Sequence, residues 1–120
     1  MSDRRREVEC AGEDWCPVTA TSALVGKKWH PVIIHHLLRH DRLGFNALLR
    51  EVNGISSKVL SESLGDLEEK GIVARKQISE KPLRVDYSLT KFGRTLEPVI
   101  TAMRNWGTER LEPPEERTEH

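Results

Sequence analysis

The sequence predicts an α+β, mainly helical fold, and three observations carry that prediction. Apolar residues recur at helical spacing through most of residues 17–71. After Gly71 the period falls to two, with Leu83, Val85, Tyr87 and Leu89 alternating with Arg84, Asp86 and Ser88. Beyond Thr90 the helical spacing returns and lasts to about residue 111.

The first 15 residues mix charges with Gly12 and show no period, which predicts a mobile N-terminal tail. Pro17 suits the first turn of a helix, and "VTATSALVG" continues it to near Gly26. In "KKWHPVIIHHLLRH", Pro31 again fits a first turn, while Trp29, Ile33, Ile34, Leu37 and Leu38 form an apolar side. Asp41 begins a break that Gly44 continues. "FNALLREV" reads as a short helix with Leu48, Leu49 and Val52 inward, and Asn53-Gly54 is a turn signal.

Ser56 can cap the next helix. At about 100° per residue, Leu60, Leu64, Leu67 and Gly71 share one sector. Ser57, Lys58, Ser61, Glu62, Gly65 and Glu69 lie opposite. A helix needing only solubility usually carries long Glu and Lys pairs on its outer face. Near its start this face is short, polar and bare.

"IVARKQI" and the alternating run after it make a β-hairpin with its tip at Ser79–Pro82. Thr90 can cap the last helix, whose regular part Pro98 bends or delays. Leu96, Val99, Met103 and Trp106 form an apolar seam of coiled-coil type, about two heptads long. Residues 16–111 are thus expected to form the folded domain, followed by an acidic tail at 112–120. The order of elements is that of a winged helix-turn-helix with a long C-terminal dimerisation helix.

That order explains the bare face. Small residues in the first turn let a helix enter a DNA major groove about 12 Å wide. Serine hydroxyls and free helix N–H groups suit phosphates and base edges. Ser56, Ser57, Lys58, Ser61 and Glu62 are the expected groove residues, and Lys76, Lys81 and Arg84 the wing residues for the backbone. Arg75 adds to the cations of the hairpin. Net charge is zero, so overall charge does not argue for DNA. Its distribution is more favourable: residues 56–94 hold eight cations against six acids, and the acid collects in residues 107–120. The rival reading is a winged module that binds only protein, which Glu62 and Glu69 favour by repelling phosphate.

Several ordered motifs resemble the HxlR family of winged-helix regulators. They are "CPVTATSALVGKKW", "FNALLREVNGISSKVLSESLGDLEEKGIVAR" and "KPLRVDYSLTKFGRTLEPVITAM", with Trp106 following, and together they cover residues 16–106. The resemblance implies a dimeric, DNA-binding transcription regulator whose dimer contacts come from the first and last helices. On this chain those contacts would be Leu24, Leu96, Val99, Ile100, Met103 and Trp106. Ser56 and Lys58 match the family's recognition-helix start, and Pro82 and Arg84 its wing. The chain departs at "GKKW", where a glycine pair is usual, and at Gly65, where a longer polar residue is common.

Some members of that family sense oxidants or electrophiles through a cysteine before the proline, the place of Cys16. Cys16 therefore has two readings, a thiol sensor with Cys10 as resolving partner or a small buried hydrophobe. Two cysteines are too few for a disulfide-stapled secreted fold, and their spacing does not suit zinc. His35, His36 and His40 lack the Glu of a zinc-protease helix and read as surface histidines, with no metal expected. Trp29 and Trp106 would either line an aromatic effector pocket or act as packing anchors. No nucleophile, base and orienting group occur together, and no glycine-rich phosphate cradle does either. Neither an enzyme nor a cofactor is expected, and no small-molecule effector is named by the sequence. With no apolar run of membrane-spanning length and no signal-peptide core, the expected location is the cytoplasm. The expected partners are double-stranded DNA and a second copy of the chain.

Overall fold

The computed structural model describes residues 15–114. Cys10, and most of the two expected tails, lie outside the described residues. In chain order the elements are α1 (Pro17–Val25), α2 (His30–Arg39), β1 (Leu43–Gly44), α3 (Phe45–Glu51) and α4 (Ser57–Glu69). They are followed by β2 (Val73–Glu80), β3 (Leu83–Leu89), α5 (Lys91–Arg94) and α6 (Glu97–Arg110). The fold is the expected mix of helices with one small antiparallel sheet and a long C-terminal helix.

One core joins these elements. Ile33, Ile34 and Leu37 of α2, Leu48 of α3, and Leu60 and Leu67 of α4 are completely buried or nearly so. Val73 and Leu89 close the sheet end, and Ile72 sits at the junction. Leu96 and Ile100 bring the start of α6 onto the same cluster. The three- and four-residue spacing of α2 and α4 dictates this arrangement, since each presents one apolar side to its neighbours.

Chain punctuation fixes the boundaries. Ser56 caps α4, its Oγ accepting from the Val59 N–H at 3.1 Å. At the other end Gly71 takes φ 77°, and the Ile72 and Gly71 N–H groups donate to the carbonyls of Leu67 and Glu68. That paired closure needs a left-handed residue, which Gly supplies without steric cost. The turn between α3 and α4 uses Gly54 at φ 91°. Thr90 caps α5 by accepting from the Gly93 N–H, and its hydroxyl donates to the Gly71 carbonyl at 2.6 Å.

Three features differ from the sequence reading. The break after Asp41 contains β1, which pairs Leu43 with Tyr87 and Gly44 with Asp86, so the sheet has three strands in the order β1-β3-β2. Two residues are too short to show any alternation, and their partner lies over forty positions away. The last helical segment is also divided: α5 ends at Arg94, and α6 starts at Glu97 with Pro98 in its first turn. Pro98 therefore delays the regular helix, one of the two outcomes its ring allows. The hairpin is longer than expected, with strands running to Glu80 and from Leu83 around a cis Lys81–Pro82 bond.

Candidate nucleic-acid interface

The helix pair α3 and α4, the turn at Gly54 and the β2–β3 hairpin make up the candidate interface. Its central element is α4. Leu60, Leu64 and Leu67 are buried, as is Ser63, and Ser56, Ser57, Lys58, Ser61, Glu62, Gly65 and Glu69 are exposed. The face expected to be bare is bare: a Cβ added at Gly65 meets nothing within 4 Å.

The hairpin presents the cations. Register pairs Lys76 with Asp86 and Ser79 with Arg84, with an irregularity between Gln77 and Ser79. Residues 84 and 86 are two apart on one strand, so Arg84 and Lys76 share a face. Lys81 stands at the tip. Among the described residues Lys58, Lys76, Lys81 and Arg84 are exposed and in no ion pair. Their charges are thus not spent on protein carboxylates. Among the described residues the hairpin carboxylate that is paired is Asp86, midway along β3, with Arg42 Nε 3.4 Å from its Oδ2. Arg42 was not among the expected contacts; its value depends on β1, which short-range pattern could not show.

The seam on α6 divides in two. Leu96 and Ile100 are buried by their own chain. They belong to the protomer core, whereas a dimer contact was expected of every member of the seam. The seam's spacing put all its members on one side but gave no sign of where that side leaves the core. Val99 and Leu24 are half-buried, whereas Met103 is 47% and Trp106 59% exposed. Met103, Trp106, Pro98, Ala102 and Leu111 line a shallow apolar groove. Trp29 is elsewhere, half-buried beside Gly54 with Lys28 Nζ 4.8 Å over its ring. Trp29 does not line the groove that Trp106 lines.

Cys16 is the N-cap residue of α1, in extended backbone, and its carbonyl accepts the Ala20 N–H at 2.9 Å. It is buried and disulfide-bonded. Its place at the helix start is the one both readings of Cys16 share, and its burial is the feature of the small buried hydrophobe. His35 and His36 pack edge to face with ring centroids 5.1 Å apart, and His36 Nδ1 lies 3.4 Å from Glu51 Oε1. Burial, as the largest cause, lowers the pKa of both imidazoles. No group of potential metal ligands is found among the described residues.

A second polar cluster escaped sequence reasoning. Asp66 of α4 receives His30 Nε2 at 2.7 Å and Lys70 Nζ at 3.0 Å, with Lys27 Nζ at 4.0 Å. The His30 and Lys70 hydrogen bonds hold its carboxyl well below the usual range, at about 2. The i,i+4 relation of Asp66 and Lys70 was visible in the sequence; the His30 partner, 36 positions away, was not.

A helix-turn-helix whose second helix shows a short polar face, flanked by a cationic hairpin, defines a winged-helix DNA-binding protein. The profile of the HxlR-like helix-turn-helix family matches residues 24–115. The chain belongs to that family, and it is a transcription regulator of the helix-turn-helix type. It is 36% identical over 109 residues to the HTH-type transcriptional regulator YdeP of Bacillus subtilis, covering 89% of this chain and 84% of that one. Among solved structures it is similar to the redox regulator HypR in its oxidized form, with 37% identity and a TM-score of 0.75 over 82% of this chain and all of that one. It is also similar to the reduced form of YodB from Bacillus subtilis, with 34% identity and a TM-score of 0.69 over 85% of this chain and all of that one. Transcription regulators of this kind are not enzymes. No helix among the described residues is long and apolar enough to cross a membrane.

Proposed function

We propose that this regulator acts as a homodimer on a palindromic operator, with α4 in the major groove and the β2–β3 wing on the flanking backbone. The observation that carries the reading is the face of α4: seven exposed residues, all short or polar, on a helix whose other side is fully buried. Ser56, Ser57, Lys58, Ser61 and Glu62 meet the groove, and Lys76, Lys81 and Arg84 meet phosphates. Glu62 suits a cytosine amino group, which makes an acid in the groove a source of preference rather than only a repulsion.

Dimerisation follows from Met103 and Trp106. Two large apolar side chains exposed on adjacent turns of α6 are costly to leave in water on so small a domain. A second copy of the same face covers them under two-fold symmetry, with Val99 and Leu24 at the edge.

Cys16 is the element that answers thiol-reactive signals. Its place at the start of α1, its disulfide-bonded state and the likeness to a redox regulator support this. Forming the disulfide removes two electrons and two protons from two thiols, and a peroxide accepts both as it becomes water.

Selection of bound duplexes from a random pool tests the DNA reading. Enrichment of one inverted repeat with half-sites about one helical turn apart, near 34 Å, is expected. Failure to enrich any sequence leaves a winged module that binds only protein.

A further inference from the structure

The hydrophobic side of α4 fixes its depth against the core, and side-chain packing sets a crossing angle only to within about 15–20°. Leu60, Leu64 and Leu67 are buried, and their contacts are non-directional, so directional bonds are needed to narrow that range. Directional bonds come from the Asp66 cluster near the other end of the helix. His30 stands at the start of α2, is 2% exposed and places Nε2 2.7 Å from Asp66 Oδ2. A carboxylate accepts, so Nε2 carries the proton. Among the described residues His30 Nδ1 is buried without a hydrogen-bond partner, and the Asp66 bond is the polar contact that fixes this ring.

Lys70 makes the second link. Its Nζ lies 3.0 Å from Asp66 Oδ2 and donates to the Ala23 carbonyl at 2.8 Å. Ala23 lies in the last turn of α1, where carbonyls have no partner within the helix and a cation is favourable. One ammonium therefore ties the recognition helix to the helix that starts at Cys16 and carries Leu24.

We propose that Asp66, Lys70 and His30 are positioning residues that lock the angle of α4 to α1 and α2. The placement of α1 at the dimer surface then sets the separation of the two recognition helices. This rests on the reading of α4 as the DNA-reading helix. Eight residues separate Lys58 from Asp66, about 12 Å along the axis. A tilt of about 10° about the clamp moves Lys58 by roughly 2 Å, beyond the range over which a hydrogen bond to a base edge survives. Phosphate contacts by the wing tolerate such a shift, because charge attraction falls off slowly with distance. The clamp thus governs sequence reading more than gross affinity.

The test uses full-length wild type, Lys70→Met, Asp66→Asn and Lys70→Arg. Each is titrated with the operator selected by wild type and with a scrambled duplex of equal length, at one salt concentration and well below its melting temperature. Lys70→Met and Asp66→Asn are expected to lower the ratio of operator to scrambled affinity about tenfold, the loss of one good base contact. Scrambled affinity should stay within about twofold, since few phosphate contacts change. Lys70→Arg, which keeps both donors, should retain most of the ratio. Repeat selection with Lys70→Met should return a broader range of half-site spacings. A clamp that only stabilises would lower melting temperatures and leave ratio and spacing unchanged, and that result overturns the inference. Lys70→Met carries the test if Asp66→Asn does not fold. A wild type that selects no operator refutes instead the reading of α4 on which the inference stands.

Discussion

Replacing Asp66 by Asn should cost stability at neutral pH and remove one acid-dependent step. The carboxyl is depressed from 3.8 to about 2, first by the His30 hydrogen bond and then by that of Lys70. Each pKa unit corresponds to about 1.4 kcal/mol, so the full shift is equivalent to roughly 2 kcal/mol. The Asp66 side chain is 27% exposed, and water screens part of this, leaving about 1 kcal/mol. A folded-state pKa below the ordinary value means the contribution is complete above about 4. It is lost as pH falls from there through about 2, where the carboxyl protonates in the folded protein. Asn does not titrate. The stability difference between wild type and Asp66→Asn should therefore be about 1 kcal/mol at pH 7 and shrink steadily between pH 4 and pH 2. Urea unfolding at five pH values measures it, and on a domain of this size the neutral-pH difference moves the melting temperature by about 4–8 °C. A difference that stays constant from pH 7 to pH 2, or is absent throughout, refutes the account of the cluster as ion-paired.

Three further outcomes are expected. Lys58→Ala should relax preference at one operator position at a cost of about 1–3 kcal/mol, while Arg84→Ala should weaken all duplexes alike and reduce the salt slope by about one per wing; binding titrations across salt separate the two. Trp106→Glu should convert a dimer to a monomer in sedimentation at micromolar concentration, because two buried carboxylates would face each other across the two-fold axis; unchanged sedimentation argues that the apolar face of α6 is not the dimer surface. Peroxide should change operator affinity in reduced wild type and leave reduced Cys16→Ser unresponsive, and equal responses would reduce Cys16 to a packing residue.

Most of the fold was legible because its signals are local. The spacing of Ile33, Ile34 and Leu37 marks one side of α2, and Ser56 marks the start of α4 by a bond reaching only three residues on. The switch of period after Gly71 marks the wing. What was hidden depends on partners far along the chain. Leu43 and Gly44 become a strand only because Tyr87 and Asp86 offer their edge. Leu96, Ile100, Met103 and Trp106 have the same periodic character, yet the first two meet α2 and the core while the last two do not. Periodicity defines a helix face; it does not say where along that face the neighbouring helix ends. The exposure of Met103 and Trp106 is informative for that reason, since it begins where the chain's own core stops.

The candidate interface was legible in the same uneven way. Residues that face outward announce themselves by being small or polar on a helix that has no need to be bare, as Ser57, Ser61 and Gly65 do. Residues that aim those groups do not. Asp66 lies among Glu62, Glu68, Glu69 and Lys70, and on charge pattern alone it is one more solvated acid. Its role emerges only when His30 from the start of α2 and the Ala23 carbonyl from the end of α1 are brought to the same place. Reading DNA requires contact and aim together. Candidate contact residues can be found by what they lack, but residues proposed to aim them are found only by what the fold brings to them.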